Sequence, residues 1–222
     1  MLLTHWHDDH TGGVPDLLRL YPHLAGAIFK HSPSKGQQPI VNGQIFTVED
    51  ATIRALHTPG HAHDHMCFVL EEEQAMLTGD NVLGHGTAVV EHLRTWMASL
   101  RVMQSQGCGK GYPAHGAVIP DLGAKIDWEL SMKVRRERQA LQALHSADNN
   151  GGGWGGRGGR GRHTVKELVT VVYGDKMGDG IRRLALEPCM DEVLRKLAED
   201  GMVGFDMKGG HKRWFAIKSP SH

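Results

Sequence analysis

Positions 5 to 10 hold His5, His7, Asp8, Asp9 and His10, five side chains within six residues that can bind a metal or move a proton. The run reads His-x-His-x-Asp-His and continues into Thr11-Gly12-Gly13. A purification tag or a solvated histidine tract is the plain alternative. A tag is close to a homopolymer, however, and this spacing is mixed and ends on a glycine pair that lets a chain turn sharply from a strand into a helix. Three more segments, Thr58-Pro59-Gly60-His61, Leu77-Thr78-Gly79-Asp80 and Tyr112-Pro113-Ala114-His115-Gly116, each end a strand-like run on one imidazole or carboxylate in a glycine-containing loop. Loops at one edge of a rigid sheet are where catalytic groups gather, so four such segments in one chain point to a metal-dependent site.

The elements that must position these groups are legible in outline. Val14, Leu17, Leu18 and Tyr21 share a helical face, with Pro15 suited to a first turn. Short apolar runs broken by turn formers predict strands at residues 27–29, 40–41, 44–48, 52–56, 66–70 and 75–78, with Asn42-Gly43 as a hairpin turn. Leu93, Trp96, Met97 and Leu100 predict a helix over 92–103, and a longer, charge-rich helix is expected from about 121 to 145. Only Met1 to Thr4 precede the first histidine, and so short a strand is not stable without partners. The catalytic domain, residues 1–147, is therefore expected to be N-terminally incomplete.

Residues 148–162 hold eight glycines in fifteen positions with Trp154, Arg157, Arg160 and Arg162. They predict a linker, with contact to single-stranded RNA by charge and stacking as the sharper alternative. Within residues 163–222, Thr164 and Glu167 form a capping box ahead of a helix, and Met190, Val193, Leu194 and Leu197 mark a second. A hairpin around Gly209-Gly210 follows, which together suggests a small winged-helix-like unit that packs or shapes a substrate entrance.

Taken together, His5-x-His7-x-Asp9-His10, Pro-Gly-His61, Thr-Gly-Asp80 and His115-Gly116 resemble the five-part signature of the metallo-β-lactamase superfamily. The resemblance implies an α+β fold, the αβ/βα sandwich. It also implies two zinc ions: His5, His7 and His61 around one, Asp9, His10 and His115 around the other, Asp80 bridging them. Asp9 would then also be the catalytic proton carrier. Imidazole and carboxylate donors without a thiolate suit zinc, with manganese or iron less suited. Ala62, where threonine is frequent, and Ala114, where glycine is usual, depart from the pattern without removing a ligand. Of the other histidines, His57 and His63 are expected behind the ligands or at the surface, His65 in a structural place, and His85 on a substrate rim.

The longer run Gly79 to Val89, with Thr4 to Gly13 and the C-terminal segment, is similar to a subgroup of fungal polyketide thioesterases, lactamase-like proteins and a β-lactamase-like endoribonuclease. That likeness implies a zinc hydrolase freeing a polyketide from the acyl-carrier-protein domain of a synthase, a step of secondary metabolism, with a small-molecule thioester as substrate. Two other readings stand beside it: a metal-dependent endoribonuclease acting on single-stranded RNA, and an inactive, truncated remnant. With 25 Lys+Arg against 25 Asp+Glu, the chain has no basic excess for a chain-wide polyanion binder. Its 3 cysteines fit a reducing compartment, and with no apolar run long enough for a membrane the expected location is cytoplasmic.

Overall fold

The computed structural model of the protein describes residues 1–149 and 162–217, and the expected Gly/Arg linker lies almost wholly outside the described residues. The chain divides into two compact units, Met1–Leu130 and Ser131–His222.

The first unit is built on a five-stranded sheet of β3 (Ile45–Val48), β4 (Ala51–His57), β5 (Met66–Leu70), β6 (Ala75–Gly79) and β7 (Lys110–Pro113), in that spatial order. Neighbours from β3 to β6 are antiparallel, and β7 is parallel to β6. Two successive antiparallel pairings turn β4 and β6 the same way, and the parallel pairing adds β7. All three strands thus deliver their C-terminal ends to one edge, and the segments carrying His61, Asp80 and His115 leave from those ends. The Thr4 carbonyl accepts the Met66 amide at the start of β5, which brings the histidine-rich segment to the same edge.

Packing follows from alternation along the strands. Ala55, Met66 and Phe68 join Ile40 in a buried cluster on one face, backed by Leu2, Phe29, Phe46, Ile53 and Leu77. On the other face lies α3 (Leu93–Gln104), the crossover between β6 and β7. It buries Leu93, Trp96, Met97, Leu100 and Met103, one face of a 3.6-residue period, with the Met103 sulfur 3.8 Å from Cys67. Strand β5 is accordingly buried on both sides. Among the N-terminal elements, α1 (Asp8–Thr11) carries half the ligand motif, and α2 (Val14–Leu20) buries Val14 against Leu3 and Ile28.

The strand expected at 40–41 lies two residues earlier: β2 (Gln38–Pro39) pairs in parallel with β1 (Phe29–Lys30). Asn42-Gly43 is a turn, but not of a hairpin. The β3–β4 hairpin closes at Glu49-Asp50, with Asp50 in the left-handed region at φ 58°. The Asn42 carboxamide instead accepts the His57 amide, which ties the turn to the end of β4. The long helix α4 runs Leu122–Asn149.

The second unit contains α5 (Val165–Tyr173), the short α6 (Asp179–Ile181) running into a π-helical stretch at Arg182–Leu186, and α7 (Glu187–Glu199). Strands β8 (Val203–Lys208) and β9 (His211–Ala216) complete it. The capping box at Thr164 and Glu167 forms, and the hairpin turns at Gly209-Gly210. Among the described residues no helix is long and apolar enough to cross a membrane.

Candidate metal centre

Sharp turns after β4 and β6 set the first contributors. Gly60 has φ +134°, and a Cβ there would stand 2.3 Å from the Trp96 Cα, so only glycine lets this loop lie against α3. The Ser99 hydroxyl donates to the Pro59 carbonyl at 2.7 Å and the Trp96 indole N–H to the Asn81 carbonyl at 3.2 Å. One helix therefore clamps both the His61 and the Asp80 loops. Gly84 and Gly116 face each other closely: a Cβ on Gly84 would lie 2.0 Å from the Ala117 oxygen, and the Gly84 amide donates to the His115 carbonyl. This contact locates His115 and leaves His85 exposed beside it.

All seven residues expected as ligands converge on this edge in two groups, His5, His7 and His61, and Asp9, His10, Asp80 and His115, with donor atoms inside each group within 4.8 Å of one another. In the first, His7 Nδ1 lies 2.9 Å from His5 Nε2 and 3.0 Å from His61 Nε2, and the last two are 3.2 Å apart. A tetrahedral zinc with bonds of ~2.0–2.1 Å places its nitrogens ~3.3 Å apart. In the second, Asp9 Oδ2 is 3.2 Å from His115 Nε2 and 3.5 Å from His10 Nε2. Asp80 joins the two: its Oδ1 is 3.4 Å from His10 Nε2, and its Oδ2 is 3.5 Å from His115 Nε2 and 3.7 Å from His61 Nε2.

Whether these donors suit a cation depends on their lone pairs. The Val89 carbonyl can only accept, so His61 Nδ1, 2.7 Å away, carries its proton, and the neutral ring turns a bare Nε2 to the centre. The Thr4 hydroxyl oxygen, 2.9 Å from His5 Nδ1 and 3.4 Å from His10 Nδ1, can accept from both and leave both Nε2 atoms bare. Burial, then the neighbouring His10, His61 and His7, pushes His5 down to about 3, and burial lowers His61 as well, so both are neutral bases at physiological pH. His10 Nε2 and Asp80 Oδ1 are buried without a hydrogen-bond partner, an arrangement that a metal bond completes. Burial raises the exposed Asp9 carboxyl, but His10, its own backbone N–H, His115 and His5 together outweigh that and hold it below the ordinary range, so it is ionised. The donor set therefore fits a metal cofactor.

Three contributors have no local signal in the sequence. The Val89 carbonyl acts through its backbone. Asp64, three residues after His61, forms a buried ion pair with Lys30, which also donates to the Ser32 carbonyl at 2.8 Å. His57 stacks on His31 with ring centroids 4.0 Å apart, and His63 is exposed, so neither enters the two groups.

Residues 1–131 match the family described as the Metallo-beta-lactamase superfamily. An atrochrysone carboxyl ACP thioesterase of Aspergillus novofumigatus is 71% identical over 94% of this chain and 64% of its own length. A lactamase-like protein of Pestalotiopsis fici is 64% identical over 98% of this chain and 67% of its own. This chain thus spans about two thirds of the length of such relatives. The crystal structure of a metallo-beta-lactamase family protein from Thermus thermophilus superposes with a TM-score of 0.62 at 25% identity, covering 83% of this chain and 56% of that one.

Proposed function

The chain belongs to the metallo-beta-lactamase superfamily, and on that premise we propose that it is a zinc-dependent hydrolase that frees a polyketide acyl group from an acyl carrier protein. The observation that carries the reading is the pair of donor groups joined by Asp80. The substrate class is supported by the thioesterase name of a relative at 71% identity. His5, His7 and His61 would hold one zinc, Asp9, His10 and His115 a second, with Asp80 between them. When bound, such a pair would lower the pKa of water to near neutral, polarise an acyl carbonyl and stabilise a leaving group.

The chain's own residues supply the rest. Asp9, ionised and 58% exposed on its side chain, is open to the mouth of the site and takes a proton from the attacking water. It returns that proton to the departing carrier thiolate, so that thioester and water become acid and thiol. His61, braced by Val89, and His115, braced through Gly84, hold their nitrogens in place. The loop bearing the exposed His85 lies against the His115 loop and forms one rim of the substrate entrance. In the same reading residues 1–147 are the catalytic part and residues 163–222 an accessory winged-helix-like unit, which α5, α7 and the β8–β9 hairpin support.

The test is to load the purified full chain with zinc and assay it in parallel on an acyl-carrier-protein thioester and on single-stranded RNA. We expect thioester hydrolysis that Asp80→Ala abolishes. RNA cleavage without thioester turnover, or two bound zinc ions with no turnover of either substrate, overturns the proposal.

A further inference from the structure

His65 contributes to neither donor group, yet it is fully buried behind both, its ring centroid 5.2 Å from that of His5 and 5.8 Å from that of His61. Its Nε2 accepts the backbone N–H of Asp80 at 3.0 Å. An amide can only donate there, so Nε2 bears the lone pair and the remaining proton sits on Nδ1. That proton meets the Thr58 hydroxyl at 3.2 Å, the Thr58 O–H reaches the Cys67 sulfur at 3.2 Å, and the Cys67 S–H reaches the Thr78 carbonyl at 3.3 Å. The Asn81 amide nitrogen donates to the Thr58 carbonyl at 2.6 Å and lies 3.2 Å from the same Nδ1.

These bonds form a closed ring that leaves the backbone at Asp80 and returns at Thr78, on either side of Gly79. Gly79 is at φ +51°, and a Cβ on it would stand 2.5 Å from His65 Nε2, so this residue must be glycine for the imidazole to reach the turn.

We propose that His65 is a positioning residue for the carboxylate that joins the two groups: by accepting the Asp80 amide proton it fixes the peptide from which that carboxylate projects. The inference rests on reading the site as a metal centre. Partners one shell out from a metal typically alter its affinity by about 10–100-fold when replaced. Glutamine can restore an acceptor near the position of Nε2, whereas methionine fills similar space without one.

The experiment compares wild type, His65→Gln and His65→Met as full-length, metal-free chains. It measures zinc affinity by competition with a chromophoric chelator, the visible spectrum of the cobalt-loaded form, and the melting temperature of the metal-free protein. We expect H65M to bind its weaker zinc about 10–100-fold less tightly with an altered cobalt spectrum, while H65Q keeps near-wild-type affinity even if both melt lower by similar amounts. Thr58→Val, which leaves the imidazole in place but opens the chain of bonds at its Nδ1–H, should shift affinity the same way by a smaller factor and serves if H65M does not fold. Loss of affinity that only tracks loss of melting temperature in all variants, or wild-type zinc binding by H65M, overturns the role of His65 and leaves the metal reading standing. No zinc binding by wild type overturns both.

Discussion

The buried ion pair of Lys30 and Asp64 offers a measurement whose size follows from the structure. Both side chains are almost wholly excluded from solvent, at 4% and 0% exposure, and beyond Asp64 the ammonium has the Ser32 carbonyl at 2.8 Å. Asp64 Oδ1 already lacks a partner, so removing the lysine leaves a buried carboxylate without its counter-charge. Breaking such a pair from one side costs about 3–5 kcal/mol, whereas removing both charges is often close to neutral. Lys30→Met and Asp64→Asn should each destabilise the first unit by about that amount, roughly 10 °C or more in melting temperature for a unit of this size. The double variant should recover part of the loss, with a coupling of about 2 kcal/mol or more in the mutant cycle. Urea titration of the full chain, with hydrogen exchange read at the β4 and β5 amides, reports the first unit separately from the second. Losses below about 1 kcal/mol, or strict additivity, would show a pair as weak as an exposed one and refute the argument.

Two further outcomes follow from the same chemistry. Asp9→Ala should lower thioester turnover by about 100-fold or more, measured as kcat on zinc-loaded enzyme, and wild-type kcat in that variant would remove Asp9 from the proton path. The metal-free protein should lose stability in acid. His5 titrates at about 3 when folded, chiefly because it is buried, and His61 and His65 are lowered for the same reason. Unfolded histidines titrate at ~6.5, so the unfolded chain takes up protons first. Stability is retained above that pH and falls by up to ~1.4 kcal/mol per unit for each such group as pH drops toward the folded value. Urea midpoints that stay level between pH 7.5 and 4.5 would show these rings to be hydrated in the fold.

Much of the centre is readable from the chain because its contributors follow strand ends, where residue type and a neighbouring glycine carry the signal. His61, Asp80 and His115 could be paired with His5 to His10 on that basis alone, and alternation within β4 and β5 indicates which face packs. The supports were not readable in this way. Lys30 meets Asp64 across 34 positions, and nothing near either residue marks it for burial. Val89 acts through a carbonyl that any residue would supply. The direction of the ring through His65, Thr58 and Cys67 depends on which nitrogen carries a proton, and that is decided by the Asp80 amide in space. Asn42-Gly43 misleads for a related reason: the dipeptide does turn, but long-range bonds to Ala55 and His57 decide what the turn connects.

The proposed centre has seven residues in two cation-holding groups that share Asp80. Calorimetric titration of the metal-free full chain with zinc counts the ions they hold. Two equivalents should bind to wild type, His61→Ala should lose one, His115→Ala the other, and Asp80→Ala should weaken both. A single equivalent in wild type, or two equivalents indifferent to Asp80→Ala, would contradict the account.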